Sequence, residues 1–228
     1  MFYDSSFLLV IPPLILALYA QAKVKGTYAK FSRVAAASGI TGAQAARSLL
    51  QTAAAGDVPV EKTPGELSDH YDPRKKVLRL SAGVHDGSSI AALGIAAHET
   101  GHALQHHAHY GPLHLRNVVY PVANIGSTLA FPVFFIGLLI NTKSSLLFMD
   151  IGILLFTGAV LFSVITLPVE FNASKRAMAL LEERGFLNKQ ELGGAKSVLS
   201  AAALTYVAST AMAAMQLLRM FMMRSSRD

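Results

Sequence analysis

The residues best suited to chemistry lie in one stretch, Ala96-Ala97-His98-Glu99-Thr100-Gly101-His102-Ala103-Leu104. Residues four apart share one face of an α-helix. His98 and His102 can therefore offer two imidazole nitrogens to a single metal ion. Glu99 follows the first histidine, where it can reach a water at that metal. The pattern predicts a zinc-dependent peptidase. A catalytic zinc site needs three protein ligands and one open position. The chain has no cysteine, so thiolate zinc sites, disulfide frameworks and cysteine nucleophiles are excluded and the third ligand must be His, Asp or Glu. The extended pattern His-Glu-x-x-His-x-x-Gly-x-x-His is also excluded, because Gln105 and Ala108 stand where Gly and His would be needed. His106, His107, His109 and His114 lie nearby, but they read as solvated or interfacial side chains.

The elements that must position these residues are largely those of a membrane protein. Hydrophobic residues make up 52% of the 228-residue chain and charged residues 15%, with a mean hydropathy of +0.41. That balance fits a mainly α, integral membrane fold with a small polar part. The formal charge is +6, yet the Lys and Arg are scattered beside apolar runs. They read as topology signals, and no nucleic-acid partner is expected.

Four membrane helices are expected. The first, Phe7–Ala22, extends toward Phe2 and Tyr3 and carries a bend at Pro12-Pro13. Its basic residues Lys23, Lys25, Lys30 and Arg33 follow the apolar run. A cleaved signal peptide has the reverse order, so the N-terminus is expected outside and residue 23 onward in the cytoplasm. Val118–Ile140 and Leu146–Leu167 form a hairpin around Asn141–Ser145, with Asp150 near a span end. Val198–Met223 is the last span, and it would leave Arg219, Arg224 and Arg227 on the outer side, against the charge rule.

In the polar part, Gly42–Leu50 reads as a helix capped by Thr41. Gly56–Gly65 reads as an extended, turn-rich stretch, and Asp69–Pro73 as a turn. Lys76–Ser81 reads as a short strand. Ser88 or Ser89 caps a helix that runs to His107 and carries the His-Glu-x-x-His pattern, with Gly111-Pro112 beyond its end.

Glu170, in Pro168-Val169-Glu170-Phe171-Asn172-Ala173-Ser174, is the expected third ligand. It is expected to open a helix running to about Arg184. Two crossings separate it from His102, which returns the chain to the same membrane face. Lys175, Arg176, Arg184, Lys189 and Lys196 follow it and mark that face as cytoplasmic.

The chain resembles the YugP-type family of neutral zinc metallopeptidases of bacterial membranes. The resemblance rests on Leu67–Pro73, Leu78–Ser81, Ser89–Ala92 through His98–Ala103, Pro121–Ser127, Leu167–Ser174 and Ala202–Tyr206. More distantly the chain is similar to HtpX-type and CAAX-prenyl membrane proteases, which carry Glu-x-x-x-Asp after the second hairpin. The resemblance implies Glu170 as third zinc ligand, with Ser174 at the Asp position as its supporting neighbour. It also implies a multi-pass protein of the bacterial inner membrane with a zincin-like α+β portion.

The expected chemistry uses one zinc ion on His98, His102 and Glu170, with Glu99 as general base. His70, Asn172 and Tyr206 are candidate donors to the developing oxyanion. Val77, Leu78, Arg79 and Leu80 are candidates to bind a peptide by strand addition. The substrate would be a peptide or membrane protein, and the lipid bilayer the other partner. The expected division is 1–22 for the first membrane helix, 23–119 for the zincin-like cytoplasmic region, 120–167 for the membrane hairpin, 168–197 for a cytoplasmic helix bearing the third ligand, and 198–228 for the last membrane helix and tail. The alternative is a catalytically silent metal-binding scaffold or adaptor.

Overall fold

The structure, a computed structural model, describes residues 5–52, 55–140, 142 and 144–227. A 3₁₀ turn, Ser5–Val10, leads into α1 (Ile11–Phe31) and α2 (Gly42–Thr52). Three strands follow, β1 (Val60–Thr63), β2 (His70–Asp72) and β3 (Val77–Ser81). After them come α3 (Ala82–His85), α4 (Ile90–His107), α5 (Gly111–Leu139), α6 (Ser145–Glu183) and α7 (Lys189–Ser225). Four helices, Ser6–Phe31, α5, α6 and α7, are long and apolar enough to cross a membrane. The extension through Phe2 and Tyr3, and Asn141 and Lys143 of the hairpin turn, lie outside the described residues.

Several expected boundaries move. Pro12 and Pro13 occupy the second and third positions of α1, just past the point where the 3₁₀ turn gives way to the α-helix. Gly111-Pro112 follows the end of α4, as expected, and opens α5, with proline in the first turn. No helix begins near Glu170. α6 runs through Pro168 without a break for 39 residues, about 58 Å at 1.5 Å per residue. That is well beyond the ~20 residues a bilayer core requires, so Glu170 sits mid-helix and not at a helix N-terminus.

The chain divides into two compact units. The first comprises 1–20, 114–168 and 205–228. Its core is Phe134, Met149, Ile153, Phe156 and Met220, with Ala130. α5 and α6 approach closely at Gly152, where a Cβ would lie 2.6 Å from Phe134 Cβ and 2.8 Å from the Ala130 carbonyl. Small residues at such crossings allow backbone contact between membrane helices. The late arginines are accommodated inside this unit. Arg224 Nε donates to Asp150 Oδ1 at 2.9 Å. Arg227 donates to the Ile140 carbonyl and to Ser145 Oγ, each at 3.1 Å, and to Leu138 O. The guanidinium of Arg219 stacks 5.5 Å from the Phe7 ring centroid.

The second unit comprises 21–113 and 169–204. α2 starts with a reciprocal capping box, in which Gln44 N–H donates to Thr41 Oγ1 (3.2 Å) and Thr41 N–H donates to Gln44 Oε1 (2.8 Å). α4 is capped by Ser89, whose hydroxyl accepts from Ala92 N–H at 3.1 Å. One face of α4 packs Ala96 and Ala103 against Leu78 and Leu80 of β3. Another packs Leu93 and Ala97 into a cluster with Leu49, Ala177, Leu181 and Leu199.

The sheet has the order β1-β3-β2. β1 runs parallel to β3 and β2 antiparallel to it. β1 falls in the stretch read as turn-rich, and β2 in the stretch read as a turn. The expectation of strand addition at Val77, Leu78, Arg79 and Leu80 is corrected here. β3 is the central strand, with partners from Asp72 to His70 on one side and Val60 to Thr63 on the other. Its backbone groups are already used, and the sheet's outer edges belong to β1 and β2.

Candidate metal centre

His98 and His102 lie one turn apart on α4, with ring centroids 4.8 Å apart and planes nearly perpendicular at 85°. Glu170 of α6 faces both. Its Oε2 is 3.4 Å from His98 Nε2 and 3.5 Å from His102 Nε2. One ligand atom from each residue lies within 4.8 Å of the others, so the three could hold a metal ion. Glu170 is 2% exposed, and Oε2 is a buried polar atom with no hydrogen-bond partner. A carboxylate is not left so in a protein interior without a compensating cation. Two imidazole nitrogens and one carboxylate oxygen form a zinc donor set, and bonds of about 2.0–2.1 Å in a tetrahedron set ligand atoms roughly 3.3–3.4 Å apart. The residues present therefore fit zinc.

The supporting hydrogen bonds set the histidine tautomers. Gln105 is fully buried, and its Nε2 donates to the Val169 carbonyl at 2.8 Å and to Asn172 Oδ1 at 3.0 Å. Both partners are acceptors, so the amide orientation is fixed. Its Oε1 then faces His102 Nδ1 at 3.0 Å and accepts the proton there. That leaves the His102 Nε2 lone pair directed at Glu170. His98 Nδ1 lies 3.1 Å from Ser174 Oγ, a hydroxyl able to accept from it, so the residue at the Asp position of the resemblance stands behind His98.

Close helix contact makes this geometry possible. A Cβ at Gly101 would lie 2.7 Å from the Ala173 carbonyl oxygen and 3.2 Å from Ala173 Cα. Only glycine lets α4 come this near α6.

Glu99 is held by the sheet. Its Oε2 accepts from the Tyr71 amide of β2 at 3.1 Å, so that amide points away from β3. Asp69 anchors the start of β2, accepting from Ser81 N–H at 2.7 Å and from Ser81 Oγ at 3.1 Å. Burial raises the Asp69 carboxyl above its usual range, more than the Ser81 bonds lower it, and the nearby Glu99 charge acts in the same direction. Burial also pushes the Tyr71 phenol up to about 12, with Asp57 and Asp72 contributing.

The remaining expected residues fall in different places. Asn172 Oδ1 accepts from both Gln105 Nε2 and Arg176 Nε, the latter at 2.8 Å, so its carbonyl works as an anchor behind His102. His70 is exposed at the start of β2, with Nδ1 2.8 Å from the Ser68 carbonyl. Tyr206 lies on α7 in the first unit and is 36% exposed. Gln105 is the functional residue that sequence reasoning did not find. Its one signal is the i+3 spacing from His102, which is weak for an uncharged side chain.

Two histidines and a glutamate placed so that they could hold a metal ion, in a chain with four helices long and apolar enough to cross a membrane, suit the class of membrane metallopeptidases. Residues 6–225 match the family described as "Putative neutral zinc metallopeptidase", and the chain belongs to that family. It is 49% identical over 214 residues, 94% of each chain, to a Bacillus subtilis protein named "Putative membrane protease YugP". No solved structure matches it.

Proposed function

We propose that the protein is a membrane-bound zinc endopeptidase of the gluzincin type, with its active site facing the cytoplasm of a bacterial cell. The observation that carries this reading is the unpartnered, buried Glu170 Oε2, on which the Nε2 atoms of His98 and His102 converge. His98, His102 and Glu170 would hold the ion. When bound, zinc supplies Lewis acidity that polarises a scissile carbonyl and acidifies a water.

The chain's own residues do the rest. Glu99, one residue after His98, takes a proton from the attacking water as its oxygen bonds to the carbonyl carbon. It then gives that proton to the amine nitrogen as the C–N bond breaks. Gln105 and Ser174 keep both imidazoles in the Nδ1–H form. The Tyr71 amide of β2 donates to Glu99 Oε2, so an extended peptide running beside β2 passes Glu99, and pairing with that amide requires its release from the carboxylate. Among the candidate oxyanion donors, His70 lies on this strand, whereas Asn172 supports Gln105.

The test is Glu99→Gln in the purified, zinc-loaded protein with an unfolded or membrane-protein substrate. Cleavage is expected to fall by at least 10²-fold, with metal content unchanged. Undiminished cleavage removes Glu99 from the mechanism. Metal binding without any zinc-dependent cleavage by the unmodified chain favours the scaffold reading instead.

A further inference from the structure

A cavity of about 210 Å³ is lined by Asp57, Tyr71, Lys76, Ala103, His106 and His109 among others. Ala103 is four residues after Glu99 on α4, and His106 is seven after it. They therefore continue the face of the helix that carries Glu99, about 6 and 10 Å further along its axis. Tyr71 joins the two places. Its backbone amide donates to Glu99 Oε2, while its hydroxyl lies 2.8 Å from His106 Nδ1. An extended chain passing Glu99 alongside β2 directs alternate side chains to one side at a spacing of roughly 7 Å. That spacing is comparable to the roughly 6–10 Å between Glu99 and the cavity residues Ala103 and His106 along the helix axis.

The cavity's chemistry leans toward donors. Lys76 contributes an ammonium, His106 and His109 contribute imidazoles, and His107 adds a third. Asp57 supplies the single carboxylate among the lining residues. The lowered His106 basicity, due first to burial and then to Lys76 and His109, places those two beside its ring. Tyr71 keeps its proton and remains a donor. The backbone supports the same reading. Lys76 (φ 51°) and His109 (φ 49°) are two of the three non-glycine residues with positive φ among the described residues, and both line this cavity. Asp72 Oδ1 accepts from Arg74 and Lys75 N–H and closes the β2–β3 turn, leaving Lys76 in the left-handed position. Glycine is the favoured residue there. Strained positions that keep a functional side chain cluster at binding sites.

We propose that this cavity is a specificity pocket that receives a carboxylate of the substrate, an Asp or Glu side chain near the scissile bond, with Lys76 as its principal recognition group. The inference rests on the peptidase reading. Its test uses the purified, full-length, zinc-loaded chain and a peptide mixture randomised around a central bond, with cleavage products read by mass spectrometry. The unmodified chain is expected to enrich Asp and Glu at one flanking position. Lys76→Glu should abolish that enrichment and favour Lys and Arg at the same position, a reversal of at least tenfold. Lys76→Gly should lose the acidic preference while folding at least as well, because it relieves the positive φ. In amidated peptides the preference should persist. If it survives only with free C-termini, the carboxylate recognised is the terminal one in the same pocket. Zinc-dependent cleavage with a flat profile, or a profile unmoved by Lys76→Glu, overturns the pocket and leaves the peptidase reading standing. No zinc-dependent cleavage of any peptide overturns both.

Discussion

A neutral amide fixes one of the two imidazoles. Gln105 binds His102 from behind, and its NH₂ group is held in turn by Val169 O and Asn172 Oδ1. Replacing it with leucine keeps the volume but removes the acceptor for His102 Nδ1–H and one of the donors to Val169 O and Asn172 Oδ1. Supporting residues of this type typically contribute 10–100-fold to metal affinity. Gln105→Leu is expected to weaken zinc binding by about that factor, measured by chelator competition on the purified protein. Unchanged affinity would show that His102 needs no such support. The three residues that cluster were legible in the sequence because His and Glu are chemically marked and the two histidines stand at helical spacing. Glu170 was reached by the expectation that two crossings return it to the face of His102. Gln105 was not legible, since a buried glutamine carries no mark of its partner. The oxyanion candidates His70, Tyr206 and Asn172 were read from residue type alone, and type does not reveal the bonds that Gln105 and Arg176 make to Asn172 Oδ1, which concern its oxygen and not the NH₂ group that an oxyanion donor would use.

At the scale of elements, the site depends on how near α4 lies to α6. At Gly101 the obstacle to a Cβ would be the Ala173 backbone itself. A backbone atom cannot rotate away, so a larger residue must push the helices apart. Overpacking of this kind costs about 1–3 kcal/mol, and a ligand shift of a few tenths of an ångström is enough to spoil a tetrahedral site. Gly101→Val is expected to lower both the melting temperature and the bound zinc per chain. Gly193→Ala is the control, because a Cβ there meets nothing within 4 Å. Equal zinc content in the two variants would refute the close-approach argument. The long apolar helices were readable from composition and length, whereas their ends were not. Pro168 looked like a boundary, but one missing N–H does not end a 39-residue helix. The sheet was only partly readable for a related reason. β2 has three residues and β1 has four, too short for an alternating pattern, and the central place of β3 emerges only from pairing across the chain.

For the whole molecule, the proposed orientation rests on the distribution of charge. Lys23, Lys25, Lys30 and Arg33 lie at or just past the C-terminal half of α1. Lys175, Arg176, Arg184, Lys189 and Lys196 lie between the apolar parts of α6 and α7. Both groups favour the cytoplasm. The opposing signal comes from Arg224 and Arg227. Arg224 is paired with Asp150, and Arg227 donates to Ile140 O and Ser145 Oγ beside the α5–α6 turn. The chain has no cysteine, so single cysteines can report sidedness without background. Ser144→Cys in the turn is expected to react with a membrane-impermeant maleimide on intact cells. Lys75→Cys beside the metal unit and Glu183→Cys at the end of α6 are expected to react only after permeabilisation. The reverse pattern would place the zinc site outside the cell, leaving the metal chemistry intact and changing the substrates that could reach it.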